Sequence, residues 1–430
     1  MIAEVQLWGR RIGAVSIDDR RDVAAFQYDP EFALSGIELS PLVMPLSPRV
    51  YQFPNLPRNT FHGLPGLLAD SLPDKFGHAL IDAWLATQGR TPESFSSVER
   101  LCYVGARGMG ALEFVPSYGP KLRVPSKIRI DALVQLASDV LAQRNRLQGH
   151  FHEAAKARTL EDILLVGTSA GGARAKAVIA WNPDADEVRS GQIAAGEGFE
   201  YWLLKFDGVT GNKDKEAEDA KGYGTVEFAY HLMARAAGIT MSDCRLMEEK
   251  GRRHFMTRRF DRFAGGEKLH MQSLCALAHF DFNHAGAYSY EQAMLTIRRM
   301  RLPMAAVEEQ FRRMVFNIVA RNQDDHVKNI AFLMDKRGAW SLAPAFDITY
   351  SYNPSGSWTS THQMTLNGKR DGFVREDLEA CGVSALMKRG RALAILEEVQ
   401  SAVQRWPEFA QQARLGDERS ARIQATHRRL

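Results

Sequence analysis

The chain is short of cysteine, of long apolar runs and of net charge, and each shortage closes off a class of protein. Four of its 430 residues are cysteine: Cys102, Cys244, Cys275 and Cys381. Their spacing suggests neither a disulfide framework nor a zinc module, and it fits a reducing, cytoplasmic setting. No stretch approaches the roughly 18 consecutive apolar residues of a membrane-spanning helix. The opening MIAEVQLWGRRIG lacks the apolar core of a signal peptide, so no membrane role is expected. The 55 Lys and Arg against 51 Asp and Glu leave a net charge of +4, too little to argue for nucleic acid as a direct partner. The basic tail with Arg419, Arg422, Arg428 and Arg429 reads as a solvated helix face. Repeats and low-complexity tracts are also missing.

What remains is ordinary globular material, 45% hydrophobic and 25% charged. At roughly 150 residues per domain the chain suggests two or three domains. Val5 and Leu7 alternate with polar residues, Gly9 follows, and the run from Ile12 to Ile17 is again extended, which predicts a hairpin. Val23–Tyr28 is a third candidate strand, and the proline-rich Pro41–Pro57 stretch reads as a surface loop. Phe76, Leu80, Ile81 and Leu85 have helical spacing over Lys75–Thr87. A first, β-rich module is expected over 1–118, closed by Pro116, Gly119 and Pro120. A region of mainly strands follows over 119–262, with a helix at Asp131–Arg144, strands near Leu164, at Lys176–Trp181 and at Tyr201–Phe206, and a helix at Thr225–Ala237. Further strands are expected near Arg245–Met247 and over His254–Phe260. The remainder, 263–430, reads as mainly helical except for one hairpin, Ile330–Met334 with Trp340–Leu342.

The strongest chemical signal is Arg321-Asn322-Gln323-Asp324-Asp325-His326-Val327-Lys328-Asn329, which follows an apolar helix and precedes that hairpin. Past the hairpin comes Phe346-Asp347. Phosphoryl transfer needs a carboxylate beside the attacking hydroxyl and oxygen ligands that hold Mg²⁺ against phosphates. Protein kinases place such an Asp and Asn five residues apart and a second metal-binding Asp beyond a hairpin. Asp324, Asn329 and Asp347 have that spacing and order. Asp324 would take the hydroxyl proton, Asn329 and Asp347 would bind metal, and Lys328 would offset phosphate charge. A solvated polar loop is the plain alternative, and a zinc site on Asp324, Asp325 and His326 is another, though no second His or Cys sits at suggestive spacing.

Three weaker signals accompany it. Gly167 to Lys176 is glycine-rich and ends on Arg174, Ala175 and Lys176, which suits a phosphate-cradling loop or a plain small-residue turn; it is not a Walker A motif. Lys205 sits in the apolar run Tyr201–Phe206, where it either snorkels from an edge strand or pairs with an acid on the next helix, Glu227 being the candidate. Arg258-Arg259-Phe260-Asp261-Arg262 ends a strand and is either a surface charge cluster or a hinge meeting an adenine ring.

Together these segments resemble the HipA family of bacterial serine/threonine kinases, toxins of HipA/HipB toxin–antitoxin systems, over nearly the whole chain. Leu67 to Asp74 and Gly105 to Leu112 resemble the family's N-terminal module; the glycine loop, Arg259 to Arg262, Asp324 to Asn329 and Phe346-Asp347 resemble its kinase core. The resemblance implies an α+β, protein-kinase-like two-lobed fold with a small β-rich N-terminal module and a mainly helical C-terminal lobe. It implies ATP-dependent, Mg²⁺-assisted phosphorylation of serine or threonine. Asp324 would be the catalytic aspartate. ATP would meet Gly171, Gly172, Ala173, Arg174, Ala175, Lys176, Lys205, Arg258, Arg259, Phe260, His326, Asn329, Phe346 and Asp347. Ser169 matches the autophosphorylated serine, whose phosphate would expel the loop and block ATP. A helix-turn-helix antitoxin like HipB, contact with DNA only through it, and a protein target in translation such as an aminoacyl-tRNA synthetase are implied as well. This sequence departs from the family's pattern at Arg258, Ala175 and Asp325. Two other readings stand beside an active toxin kinase: a partner-binding or regulatory protein that keeps the fold with little turnover, and a small-molecule kinase.

Overall fold

The computed structural model describes residues 1–18, 22–119, 127–143, 164, 166–167, 174–209 and 222–430. Among them, antiparallel strands form three sheets. The first begins with the expected hairpin, β1 (Ile2–Leu7) and β2 (Arg10–Ile17). The two turn residues, Trp8 and Gly9, both have positive φ, 50° and 78°, which a two-residue turn matched to strand twist requires. Trp8 tolerates this because its indole N–H donates to the Lys268 carbonyl at 2.7 Å. β3 (Ala24–Tyr28), β4 (Val50–Tyr51) and β5 (Leu112–Val115) complete the order β4-β3-β2-β1-β5. The Pro41–Pro57 stretch corrects the sequence reading. It contributes β4, buries Met44 and Tyr51, and receives the Tyr28 hydroxyl on the Met44 carbonyl at 2.9 Å, so it folds in over the sheet.

The second sheet has the order β7-β6-β8-β10-β9, from β6 (Lys176–Asn182), β7 (Glu187–Ser190), β8 (Glu200–Lys205), β9 (Cys244–Glu249) and β10 (Arg252–Arg258). β7 was not expected, and β10 stops at Arg258, leaving Phe260 beyond the strand. Leu164, Val166 and Gly167 are helical rather than extended. The helix Tyr223–Ala236 lies against β10. A Cβ on Gly224 would sit 2.7 Å from the Arg253 carbonyl, so glycine permits the close approach that brings Glu227, one turn on, beside the sheet.

The third sheet, β11 (His270–Ser273), β12 (Ala331–Met334) and β13 (Trp340–Leu342), adds an unforeseen strand to the expected hairpin. In the helical lobe Met304–Val319 packs with Tyr290–Arg299 and Arg391–Gln404, and Trp406–Gln412 packs on Tyr223–Ala236, with Phe311, Val315, Leu396 and Trp406 fully enclosed. This lobe is less uniformly helical than expected: residues 343–374 run between β13 and the helix Arg375–Ser384 with no helix or strand. Arg428 also departs from the solvated reading, since its side chain is only 10% exposed.

Helix Lys75–Thr87 has the predicted bounds, and its burial of Phe76, Leu80, Ile81 and Leu85 follows the apolar spacing. Helix Ser97–Val104 was missed although it carries a capping box: Ser96 N–H donates to Glu99 at 2.8 Å and Glu99 N–H to Ser96 Oγ at 3.3 Å. The buried clusters cross the expected boundary at 118. Phe76, Leu80 and Tyr103 pack with Ile179 and Trp202 of the second sheet. Val5 and Phe26 belong to the same cluster as Tyr230 and Trp406. All four cysteines are buried and unpaired. No described helix is long and apolar enough to cross a membrane.

Candidate active site

The site forms where the second sheet faces the helical lobe. In β6 and β8, Lys176 pairs in register with Lys205. Two neighbouring cations on a sheet repel unless anions compensate. Lys205 Nζ is 2.5 Å from Glu227 Oε1 and 2.5 Å from Asp347 Oδ1. The expected partner on the following helix is therefore present, and a second carboxylate joins it. Lys205 is not an edge-strand residue: β8 lies between β6 and β10. Burial opposes the lysine's charge, but Asp347 and Glu227 hold its pKa above the ordinary value. For Asp347, burial is outweighed by Lys205 and Lys176, which hold the carboxyl well below the usual carboxylate range. Lys176 is drawn down to about 8 by burial and by Lys205, against the pull of Asp347. Asp347 has φ 57°, a left-handed backbone that costs a non-glycine residue energy and aims its carboxylate at Lys205.

The adjacent carboxylates of the loop have opposite surroundings. Asp325 is enclosed and accepts from Tyr290 Oη at 2.5 Å and from the Gln363 N–H at 2.7 Å, with His362 Nδ1 also at 2.7 Å. Burial would raise its carboxyl; His362, Tyr290 and Gln363 bring it below the ordinary value. Its side chain is only 1% exposed, and these three partners occupy its oxygens. The Asp324 side chain is 43% exposed and accepts from the Trp358 indole at 2.8 Å. The Asn329 Nδ2 donates to the Asp324 carbonyl at 2.9 Å, which closes the loop and leaves the amide oxygen for another ligand. Asn329, His326, Phe346 and Asp347 line one cavity with Asp325 and Tyr290. Among the described residues no three His, Cys, Asp or Glu side chains converge as a metal site.

The remaining expected residues spread around this centre. His326 Nε2 lies 3.8 Å from Asp324 Oδ1, and its ring packs on Phe282. Lys328 pairs with Asp74, and its burial is outweighed by Asp74 and Asp70, which keep it charged. Asp74 stands at the N-cap of helix Lys75–Thr87 yet makes no capping bond. The Arg174 guanidinium lies over the Tyr223 ring, and Ala175 is buried. Ser169, Gly171, Gly172 and Ala173 lie outside the described residues.

Arg258-Arg259-Phe260-Asp261-Arg262 is not a surface cluster. Arg259 grips Asp261 through two bonds of 2.8 and 2.6 Å, Arg262 adds one of 2.9 Å, and the Gly110 N–H adds another of 2.8 Å. Arg262 also donates to the Gly108 and Gly110 carbonyls, which ties the N-terminal glycine turn to the segment after β10. Arg258 pairs at the surface with Glu200. Phe260 packs 5.9 Å from Phe346, beside Ala331, Leu333 and Ala343. That small apolar cluster adjoins the lysine–carboxylate centre through Phe346-Asp347. Trp358, His362 and Gln363 escaped the sequence reading, while Asp74 entered it only as the end of an N-terminal segment at a helix start and Arg428 only as part of a solvated basic tail.

A five-stranded sheet, a helical lobe and a lysine–carboxylate pair at their junction define a protein-kinase-like, two-lobed α+β fold. The chain belongs to the HipA family: residues 3–115 match the HipA N-terminal domain and residues 168–406 the HipA-like C-terminal domain. Among solved structures it resembles the HipA of a toxin–antitoxin system of Shewanella oneidensis MR-1, determined with HipB and operator DNA, at 19% identity over 98% of this chain and 94% of that chain, with a TM-score of 0.69. A proinflammatory kinase of Helicobacter pylori, CtkA, aligns over 53% of this chain and 88% of that chain at 11% identity and a TM-score of 0.35. The search of curated proteins returned no match.

Proposed function

We propose that this chain is an ATP-dependent serine/threonine protein kinase and the toxin of a toxin–antitoxin pair. The observation that carries the reading is the Lys205–Glu227–Asp347 cluster within a HipA-family chain whose Asp324 carboxylate stays accessible. Asp324 takes the proton of the attacking hydroxyl; that oxygen bonds the γ-phosphorus as the bond to the β-phosphate bridging oxygen breaks, and ADP leaves. Lys205 and Lys176 neutralise ATP phosphates, while Phe260 and Phe346 supply apolar contact for the adenine. Mg²⁺ fits the oxygen donors of Asn329 and Asp347, and when bound it would offset phosphate charge. Lys328 adds positive charge beside the transferred group.

In this reading Ser169 is autophosphorylated, a helix-turn-helix antitoxin is the partner, DNA is met only through it, and the target is a cytoplasmic protein of translation such as an aminoacyl-tRNA synthetase. Support for the antitoxin is the HipB in the Shewanella complex. Purified chain with Mg²⁺ and labelled ATP should phosphorylate itself at Ser169, seen as one added phosphate by mass, and Asp324→Asn should lower the rate about 10²–10⁴-fold. Full activity in Asp324→Asn would remove that residue from the role. Transfer to a metabolite and to no protein would replace the protein-kinase reading.

A further inference from the structure

Arg428 lies 104 residues beyond Asp324 in sequence and reaches the loop through intermediates. Its main-chain N–H donates to the Val319 carbonyl at 2.9 Å and its Nη1 to the Ile318 carbonyl at 3.1 Å. These are carbonyls at the end of helix Met304–Val319, the helix that delivers the Arg321–Asn329 loop. A cation is favoured there, where the helix leaves its last carbonyls unpaired. The same Nη1 is 2.9 Å from His362 Nε2. Arginine only donates, so Nε2 must accept, and the His362 proton resides on Nδ1. That atom faces Asp325 Oδ2 at 2.7 Å. Arg428 thus fixes the tautomer that lets His362 donate to Asp325. The other Asp325 donors are Tyr290, itself contacted by Asn317 Nδ2 at 3.1 Å, and the Gln363 N–H. With Arg428 in place His362 is fully enclosed, and its ring packs against Phe373. Asp371 and Arg321 complete the charged surroundings of Arg428.

We propose that Arg428 is a positioning residue for phosphotransfer: through His362 it clamps Asp325, and Asp325 holds the backbone that presents Asp324 and Asn329. The pairing has the logic of a carboxylate–imidazole unit oriented by a third group, used here to set a loop rather than to move a proton. The proposal rests on the kinase reading for its activity consequence and on geometry alone for its structural one.

The test therefore has two arms. Arg428→Met should lower kcat for autophosphorylation by about tenfold with KM for ATP within about twofold, the signature of a misplaced reacting group rather than lost binding. Hydrogen exchange should rise in a peptide covering 322–329 and stay unchanged in peptides from β6 and β8. His362→Phe should reproduce both effects, and the double variant should be no worse than either single one, because both act through Asp325. Arg428→Lys, which keeps the charge at the helix end, should recover part of the rate. Unchanged exchange in 322–329, or additive effects in the double variant, would overturn the proposal. Exchange that rises throughout the helical lobe, with KM and kcat worsening together, would do the same by showing a merely structural role. A parent chain with no phosphotransfer would defeat the kinase reading, and the exchange arm would still decide the clamp.

Discussion

The segment Arg259–Arg262 and the loop Arg321–Asn329 are both dense in charge, and both hold a conspicuous aspartate, yet they are built to opposite ends. Asp261 is enclosed and receives two bonds from Arg259, one from Arg262 and one from the Gly110 N–H. Asp324 is 43% exposed, and its carboxylate receives the Trp358 indole. A carboxylate whose lone pairs are all taken joins pieces of chain, whereas one with lone pairs to spare can meet a substrate. Asp325 falls on the Asp261 side of that division although it adjoins Asp324 in sequence. Charge density in a sequence marks both kinds of place; the number of donors already committed separates them.

The sharpest way to break the comparison is to exchange the two aspartates for alanine. Asp261→Ala leaves Arg259 and Arg262 buried without their partner, and should cost about 3–5 kcal/mol of stability in chemical denaturation. Asp324→Ala should change stability by less than about 1 kcal/mol while phosphotransfer falls about 10²–10⁴-fold. Equal stability losses would erase the distinction. Acid sharpens it further. Burial works against the Asp261 charge, but Arg259 and Arg262 hold its carboxyl below the ordinary value. Its contribution is therefore full above the unfolded pKa of about 4 and is lost as pH falls below that. Melting temperature against pH should show an acid limb that is shallower in Asp261→Asn; identical limbs would contradict the assignment.

A smaller effect is expected at Asp74→Asn, which loosens Lys328 from the N-terminal module. It should cost about 1–3 kcal/mol by denaturation and slow phosphotransfer severalfold. A rate identical to that of the parent chain would separate Lys328 from the chemistry. The smallest effect belongs to Arg258→Gln, whose pair with Glu200 is at the surface and should contribute less than about 1 kcal/mol. A larger loss would show that the whole Arg258–Arg262 run acts as one clamp.

Local pattern made much of this legible. Apolar spacing delimited helix Lys75–Thr87, alternation gave the first hairpin, and a polar residue in an apolar strand pointed from Lys205 to Glu227. The separation of Asp324 from Asn329 is likewise a local fact, and Asn329 does close that loop. The contacts that distinguish Asp324 from Asp325 are of another kind. They come from Trp358, His362 and Gln363, within a stretch that has no periodicity to read because it forms neither helix nor strand. Arg428 looked solvated because arginine at a chain's basic end usually is; only the fold brings helix Met304–Val319 and His362 beside it. The Ser96–Glu99 capping box was a legible signal that went unread.

The way the two large apolar clusters cross residue 118 bears on modularity. Phe76, Leu80 and Tyr103 precede that position but are packed with Ile179 and Trp202, while Val5 and Phe26 share a cluster with Tyr230. A chimera that grafted the first 118 residues of a relative onto this chain would inherit mismatched knobs against an unchanged sheet. The stretches matching the two HipA domains therefore share their buried cores, and a change of side-chain volume on one side of the seam is felt by the packing on the other.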